Sequence, residues 1–361
     1  MSFRAFFLNL LALASLNCIP HCVAVSSGVT PDGEQWIVDA HGTYMRATWA
    51  TDGSIIGVYE DTDGPKAVIR VVKSTNSGIS WQAIGSVTSV VTETHSIGNP
   101  FILQLPNGRL LATSRNHDRK SAHDYTYFRI ALFGSDDGGA NWSSLGNIAE
   151  RRRDGINGLW EPFLRVSRNG TIQAFYSSEN NAYDQDNIMK ISKDNGESWS
   201  SPMPVSGQDI RSRDGMTGVA NVDDEGNVIC VFESLRNNVF SIDYVLSDDD
   251  GFTWPSRGRL YKAKNNRDAG APQIVNVGGT LVADFMSNED VDPRNGNYVD
   301  GGQMKVVTST NGGLIWSDPV VTGTKGSHWP GLFSLDDSHF LGLWQQDPEG
   351  LVSQKFRLAK P

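Results

Sequence analysis

Cysteine is scarce in this 361-residue chain: there are three, and two of them, Cys18 and Cys22, fall among the first two dozen residues. The seven histidines show no metal-ligand spacing, so no metal centre and no cofactor are expected. Basic residues are outnumbered, 31 Lys and Arg against 41 Asp and Glu, for a formal net charge of −10. That balance disfavours nucleic acid or an anionic membrane as partner. The run Arg151-Arg152-Arg153 is a local exception, expected to be a solvated loop. Long apolar runs are also lacking, apart from one between Ala5 and about Leu16, which is short for a membrane span. It follows a basic Arg4 and ends in the small residues Cys22-Val23-Ala24, the layout of a secretory signal. Residues 1–24 are therefore expected to be a signal peptide and 25–361 a secreted mature chain. Cys230 is then left alone inside NVICVFESL, where it fits a buried thiol better than a reactive one. Without a disulfide, such a chain is held by its core, which its length is large enough to supply. No linker or composition shift divides it, so one domain and a monomer are expected.

What is present is a repeat. The pattern Ser-x-(Asp/Asn)-x-Gly-x-x-Trp occurs five times, as STNSGISW, SDDGGANW, SKDNGESW, SDDDGFTW and STNGGLIW, ending at Trp81, Trp142, Trp199, Trp254 and Trp316. The tryptophans are 61, 57, 55 and 62 residues apart, the signature of a repeat architecture. Asp or Asn with Gly two residues on supplies the side-chain acceptor and the permissive backbone of a tight turn. Each box follows a strand-like run such as KAVIRVVK or FSIDYVL, so it is expected to join two outer strands. The sequons at Asn141 and Asn169 match the N-glycosylation pattern.

Upstream of each box lies a second repeat, a strand–turn–strand unit such as NPFILQLPNGRLLATSRN, and there are six of these. Each hairpin joined to its box makes a four-stranded sheet, and six sheets arranged radially make an all-β, six-bladed β-propeller. The sixth hairpin has no box. Its sheet is expected to be completed by LVSQKFRLA at the C-terminus and a strand around Glu34 to Val38.

In such a fold, positions nine before and seven after each turn glycine, or Ser338 where the last repeat lacks one, crowd the mouth of the central channel, on the face opposite the boxes. Seven after stand Glu60, Arg115, Ser177, Glu233, Met286 and Gln345; nine before stand Tyr44, Asn99, Glu161, Thr217, Gly270 and Trp329. Glu161 in LWEPFL and Glu233 in CVFESL are the acids best framed by apolar neighbours. Two carboxyls facing a pocket are the minimal equipment for glycoside hydrolysis, and aromatic surroundings raise the pKa of the proton donor. The bland reading pairs these acids with Arg46 or Arg115, neutralising the mouth. Glu60 and Glu179 rival them for the catalytic roles. Trp160, His328 and Trp329 are candidates for sugar contact, Asn99 lies beside them, and Arg115, Asn116 and His117 form a further polar cluster.

With boxes, hairpins and carboxyls in place, the chain resembles the sialidase-like propeller hydrolases. Within them it is most similar to the secreted fungal exo-1,5-α-L-arabinanases, through the WEPF and FESL contexts. The resemblance implies cleavage of linear α-1,5-arabinan from the non-reducing end, releasing arabinobiose with retention. It places the catalytic glutamates on Glu161 and Glu233, with Glu161 preferred as acid/base and Glu233 as nucleophile, the swap remaining open. Retention implies carboxyl groups roughly 5 to 5.5 Å apart. True sialidases are the alternative: Arg46 and Arg115 could clamp a carboxylate, but MRAT replaces their Arg-Ile-Pro and no tyrosine follows Tyr298. A non-catalytic glycan-binding propeller is the third reading.

Overall fold

The computed structural model describes residues 27–291, 298–300 and 302–359; the expected signal peptide lies outside them. Strand β1 (Val29–Asp39) comes first. A sheet of β2 (Thr43–Trp49), β3 (Ile55–Asp63), β4 (Lys66–Ser74) and β5 (Gln82–Val91) follows. The next holds β6 (His95–Gln104), β7 (Leu110–Ser121), β8 (Asp124–Ser135) and β9 (Ser143–Arg152). An eight-stranded sheet contains β10 (Leu159–Val166), β11 (Ile172–Asn181), β12 (Asp184–Ser192), β13 (Met203–Ser206), β14 (Arg213–Asn221), β15 (Val228–Arg236), β16 (Val239–Ser247) and β17 (Ser256–Tyr261). Then come β18 (Ala269–Val277), β19 (Thr280–Ser287), β20 (Gln303–Ser309) and β21 (Val320–Gly323). The last sheet is β22 (Ser327–Ser334), β23 (His339–Gln346) and β24 (Gly350–Leu358), with β1 on its outer edge. The splice of N-terminal and C-terminal strands is as the sequence indicates, Trp36 opposing Ser353 and Ile37 opposing Val352.

The arrangement is all-β and propeller-like. Innermost strands pack in a closed cycle, β2 on β6, then β10, β14, β18 and β22, which returns to β2. Burial follows the radius. Second strands such as β15 and β19 are buried almost throughout because sheets stack on both their faces, whereas outer strands β5 and β9 are largely exposed. The expectation of six separate four-stranded sheets is corrected: there are four, plus the eight-stranded one. Pro202 and Pro204 restrict β13 to four residues, leaving the far end of β12 unpaired, and Gln185 there bridges to Arg213 of β14.

The boxes are turn locks, as their composition implies. Ser192 Oγ accepts from the Gly196 N–H at 2.8 Å and donates to Asp194 Oδ1 at 2.7 Å, which accepts the Ser198 N–H at 2.9 Å. The same three bonds recur from Ser74, Ser135, Ser247 and Ser309. Cys230 is free and buried, which pushes its thiol pKa up.

Candidate active site

Each innermost strand carries the same defect at the same height. Tyr44, Asn99, Glu161, Met216, Ala271 and Trp329 all have positive φ, between 51° and 55°, and at each the register with the second strand shifts. These bulges turn the backbone at the mouth of the channel, the usual use of a bulge near a site. The position nine before the turn glycine is correct in four of the six. It misses by one at Thr217 and Gly270, where Met216 and Ala271 hold the bulge. The β14–β15 connection has one residue more than the β10–β11 connection, and the Gly278-Gly279 turn has three fewer. The other ring is in place throughout: Glu60, Arg115, Ser177, Glu233, Met286 and Gln345 oppose the residue just before each bulge.

Three of those pre-bulge residues are glycines, and each makes room for a carboxyl of the preceding unit. A Cβ on Gly215 would stand 3.1 Å from Glu161 Oε2, and one on Gly270 would stand 2.8 Å from Glu233 Oε2. One on Gly98 would stand 2.8 Å from Glu60 Oε2. The bulge N–H groups then bind these acids. Met216 N–H donates to Glu161 at 2.8 Å, Ala271 N–H to Glu233 at 2.7 Å and Asn99 N–H to Glu60 at 2.6 Å. Glu161 also accepts from Ser177 Oγ at 2.9 Å, and Glu233 from the Tyr298 hydroxyl at 2.6 Å. Because Glu233 opposes Gly215 in register, Glu161 and Glu233 flank the same glycine.

Neither of the two carboxyls forms an ion pair with an arginine among the described residues, so the neutralised-mouth reading does not describe them. Burial raises the pKa of Glu161, against the Met216 and Ser177 donors. Burial and then the charge of Glu161 push Glu233 up to about 7, against Tyr298 and Ala271. Both carboxyls are thus shifted toward the protonated form, Glu233 to near neutrality, and one carboxylic acid beside one carboxylate can protonate a leaving oxygen while attacking or activating water. Glu60, raised by burial, lies instead beside Arg115. Glu179 is engaged by Arg213 at 2.6 Å.

The other candidates divide. Arg115 donates to Asn99 at 2.8 Å and Ser96 at 2.7 Å and sits 5.7 Å from the Trp160 ring, so Arg115, Asn99 and Trp160 are together at the mouth. Trp329, packed at 6.1 Å on Tyr44, lies across it, and His328 is bound to Asp347 at 3.1 Å. Asn116 is half-buried, its Oδ1 without a partner. Two are corrected. Arg46 is only 4% exposed, its Nη1 on the Met45 carbonyl and its guanidinium 4.2 Å from the Tyr44 ring centre, so it packs into the wall rather than standing open to a ligand. His117 is fully buried edge-on to Tyr125, Phe128 and Trp160, with its pKa lowered to about 3 by burial; it packs the seam. The Arg151 expectation is corrected too: this side chain is half-buried and binds the carbonyls of Gly158 and Glu179 at 2.8 and 3.0 Å, bracing the loop before Glu161.

Tyr298, whose hydroxyl donates to Glu233, is the residue of this candidate site that sequence reasoning missed. It sits on a 3-10 turn (Tyr298–Asp300), is buried, and meets Phe240 edge-on at 5.2 Å. No pattern in NGNYVDG marks it. Among the described residues no group of three or more His, Cys, Asp or Glu is placed to hold a metal. Larger cavities of about 580 and 630 Å³ lie elsewhere, beside Arg165 and beside Trp254. The first holds Arg165, already saturated by Asn221, Gln173 and Asp250, and neither contains a pair of acids.

Solved structures share this fold. An α-L-arabinofuranosidase of Fusarium graminearum in complex with an iminosugar inhibitor superposes with a TM-score of 0.71 at 18% identity, covering 92% of this chain and 98% of that one. An α-L-arabinanase of Penicillium chrysogenum complexed with arabinobiose gives 0.68 at 18%, covering 92% and 97%. The NanB sialidase of Streptococcus pneumoniae gives 0.59 at 10%, covering 91% and 69%. No curated relative matches by sequence. The expected resemblance thus holds at the level of fold, and a family model for the BNR repeat-like domain matches residues 126–341. The repeats, the fold and this match together show that the chain belongs to the BNR repeat-like domain family.

Proposed function

We propose that the chain is a secreted, retaining glycoside hydrolase that acts as a monomer from the non-reducing end of linear α-1,5-arabinan and releases arabinobiose. The observation that carries the reading is the pair of carboxyls, Glu161 partly buried and Glu233 buried, flanking Gly215 with raised pKa values and no arginine partner among the described residues. The similarity in fold to an arabinofuranosidase and to an arabinanase complexed with arabinobiose supports the substrate class. The architecture is counted as six blades, the eight-stranded sheet being two blades joined by one bridge.

Glu161 is assigned as acid/base and Glu233 as nucleophile. Glu161 is less buried than Glu233, as suits a group that exchanges protons with water in both steps, whereas Glu233 is 9% exposed and held by two donors on Oε2. The pKa of Glu233, pushed up to about 7, suits a proton donor and argues for the swap. We weigh it less because part of it comes from the charge of Glu161, which is absent while Glu161 carries the proton that it delivers to the leaving oxygen.

Incubation with linear arabinan, with sialyllactose alongside, tests the reading. Arabinobiose as the sole early product is expected, and Glu161→Ala should lower kcat by orders of magnitude while the chain stays folded; a glycan-binding module would retain affinity and show no turnover in either form. One contact favours the sialidase alternative: a tyrosine hydroxyl on a glutamate is the pairing that a tyrosine nucleophile needs, and Tyr298 and Glu233 supply it. Tyr298→Phe separates the two. With a glutamate nucleophile it leaves measurable arabinan turnover, and with a tyrosine nucleophile it abolishes release of sialic acid.

A further inference from the structure

Next to the carboxyl pair, on the same face, the tips of the β11–β12 and β15–β16 hairpins and the start of β14 enclose a cavity of about 240 Å³. Its charge opposes that of the molecule. Arg211, Arg213 and Arg236 line it and no carboxylate does, in a chain of net charge −10. Tyr183 stands at the first hairpin tip, 67% exposed, with the Arg211 guanidinium 5.1 Å from its ring centre. Asn237 and Asn238, both with positive φ, form the second tip and complete the lining.

The three arginines are committed to different degrees. Arg213 donates to Glu179 at 2.6 Å and Gln185 at 2.9 Å, which fixes it in place. Nη2 of Arg236 lies 3.5 Å from Asp243, yet its Nε and Nη2 are shielded from solvent without a hydrogen-bond acceptor. Arg211 is exposed and has no ion-pair partner among the described residues. Arg211 is thus the guanidinium open to a ligand, and a planar carboxylate is the group its fork geometry matches. An exposed tyrosine beside it supplies a face on which a sugar ring can lie. Continuity with the catalytic pair comes through Arg213, whose charge acts on both Glu161 and Glu233.

We propose that this cavity is a subsite for a carboxylate-bearing sugar unit, of the uronic or sialic acid type, in the glycan whose scissile bond lies at Glu161 and Glu233. Its place beside a scissile bond rests on the hydrolase reading; its affinity for the acidic sugar does not. A neutral pentose chain alone would leave Arg211 unmatched.

Titration calorimetry on the full chain tests this with three probes: digalacturonic acid, sialyllactose and neutral arabinobiose. One acidic probe should bind, more weakly as salt is added, and which one binds identifies the acid. Arg211→Gln and Tyr183→Ala, both at exposed positions, should each lower its affinity about tenfold relative to arabinobiose. No binding of either acid, or equal losses for acidic and neutral probes, overturns the subsite. Arabinan turnover is read separately. If arabinan is not cleaved while acidic binding still depends on Arg211, the hydrolase reading fails and the subsite stands; if arabinan is cleaved and no acid binds, the subsite alone falls.

Discussion

At Glu233 the burial that equips a carboxyl for proton transfer also weakens the fold near neutral pH. Its pKa is raised from 4.5 to about 7, so the folded chain holds this proton more tightly than the unfolded chain does. Below about pH 4.5 the group contributes its full share of stability, and that share is lost as the pH rises through 7. Glu233→Gln keeps an acceptor for Tyr298 and Ala271 without the charge. It should therefore leave Tm unchanged at pH 4 and raise stability by on the order of 2 kcal/mol at pH 8, while removing turnover. Thermal melts at the two pH values decide it: an equal shift at both would mean that the charge is not the cause. Buried Asp284, raised well above its ordinary value, adds to the same trend in the parent chain and cancels in the comparison.

The strand bulges and the glycines before them are the elements that set the site. A Cβ on Gly270 would come within 2.3 Å of Tyr298 Cζ and 2.8 Å of Glu233 Oε2, so Gly270→Ala must push the tyrosine away from the carboxyl. Gly258 on β17 is a control, since its Cβ would meet the Tyr244 ring at 2.3 Å far from the mouth. Both substitutions should cost about 1–3 kcal/mol by overpacking, and only Gly270→Ala should also lower kcat, by tenfold or more. Equal kinetic effects would refute the role of this close approach. The same elements explain what was legible in the sequence. The boxes were, because Ser, Asp and Trp close a turn within eight residues. Glu161 and Glu233 were, because acids inside LWEPFL and CVFESL have no structural reason to be there. Tyr298 was not, since it reaches the site from a loop whose sequence carries no periodicity. Arg46 lies two residues past the Tyr44 bulge, where the period-2 alternation that decides inward from outward is broken, and sequence alone did not locate that bulge; His117 lies two residues past Arg115, buried against Tyr125, Phe128 and Trp160.

For the whole molecule the open question is how the ring stays closed. β1 opposes β24 from Val29–Leu358 to Asp39–Leu351, Asp32 pairs with Lys355 at 2.6 Å, and the Asp39 carboxylate accepts from the Tyr59 hydroxyl in the next sheet at 3.0 Å. Two effects are combined in this strand. It covers the edge of β24 and the core around Trp344 and Phe356, and its continuation into β2 ties the last sheet covalently to the first. They can be separated because the ends lie side by side, the Ala359 N–H donating to the Gly28 carbonyl at 2.8 Å. Deleting residues 27–39 removes both effects and should expose an edge that aggregates. Moving the same segment to follow Ala359 through a short turn, so that the chain starts at Ala40, keeps the pairing and removes only the tie. That permuted chain should retain its β-sheet spectrum and fold, but unfold several times faster in denaturant, because the β22–β2 seam would then be held by packing alone. If it unfolds at the parent rate, packing of the innermost strands is sufficient to close the ring, and the shared sheet contributes only the covering of an edge.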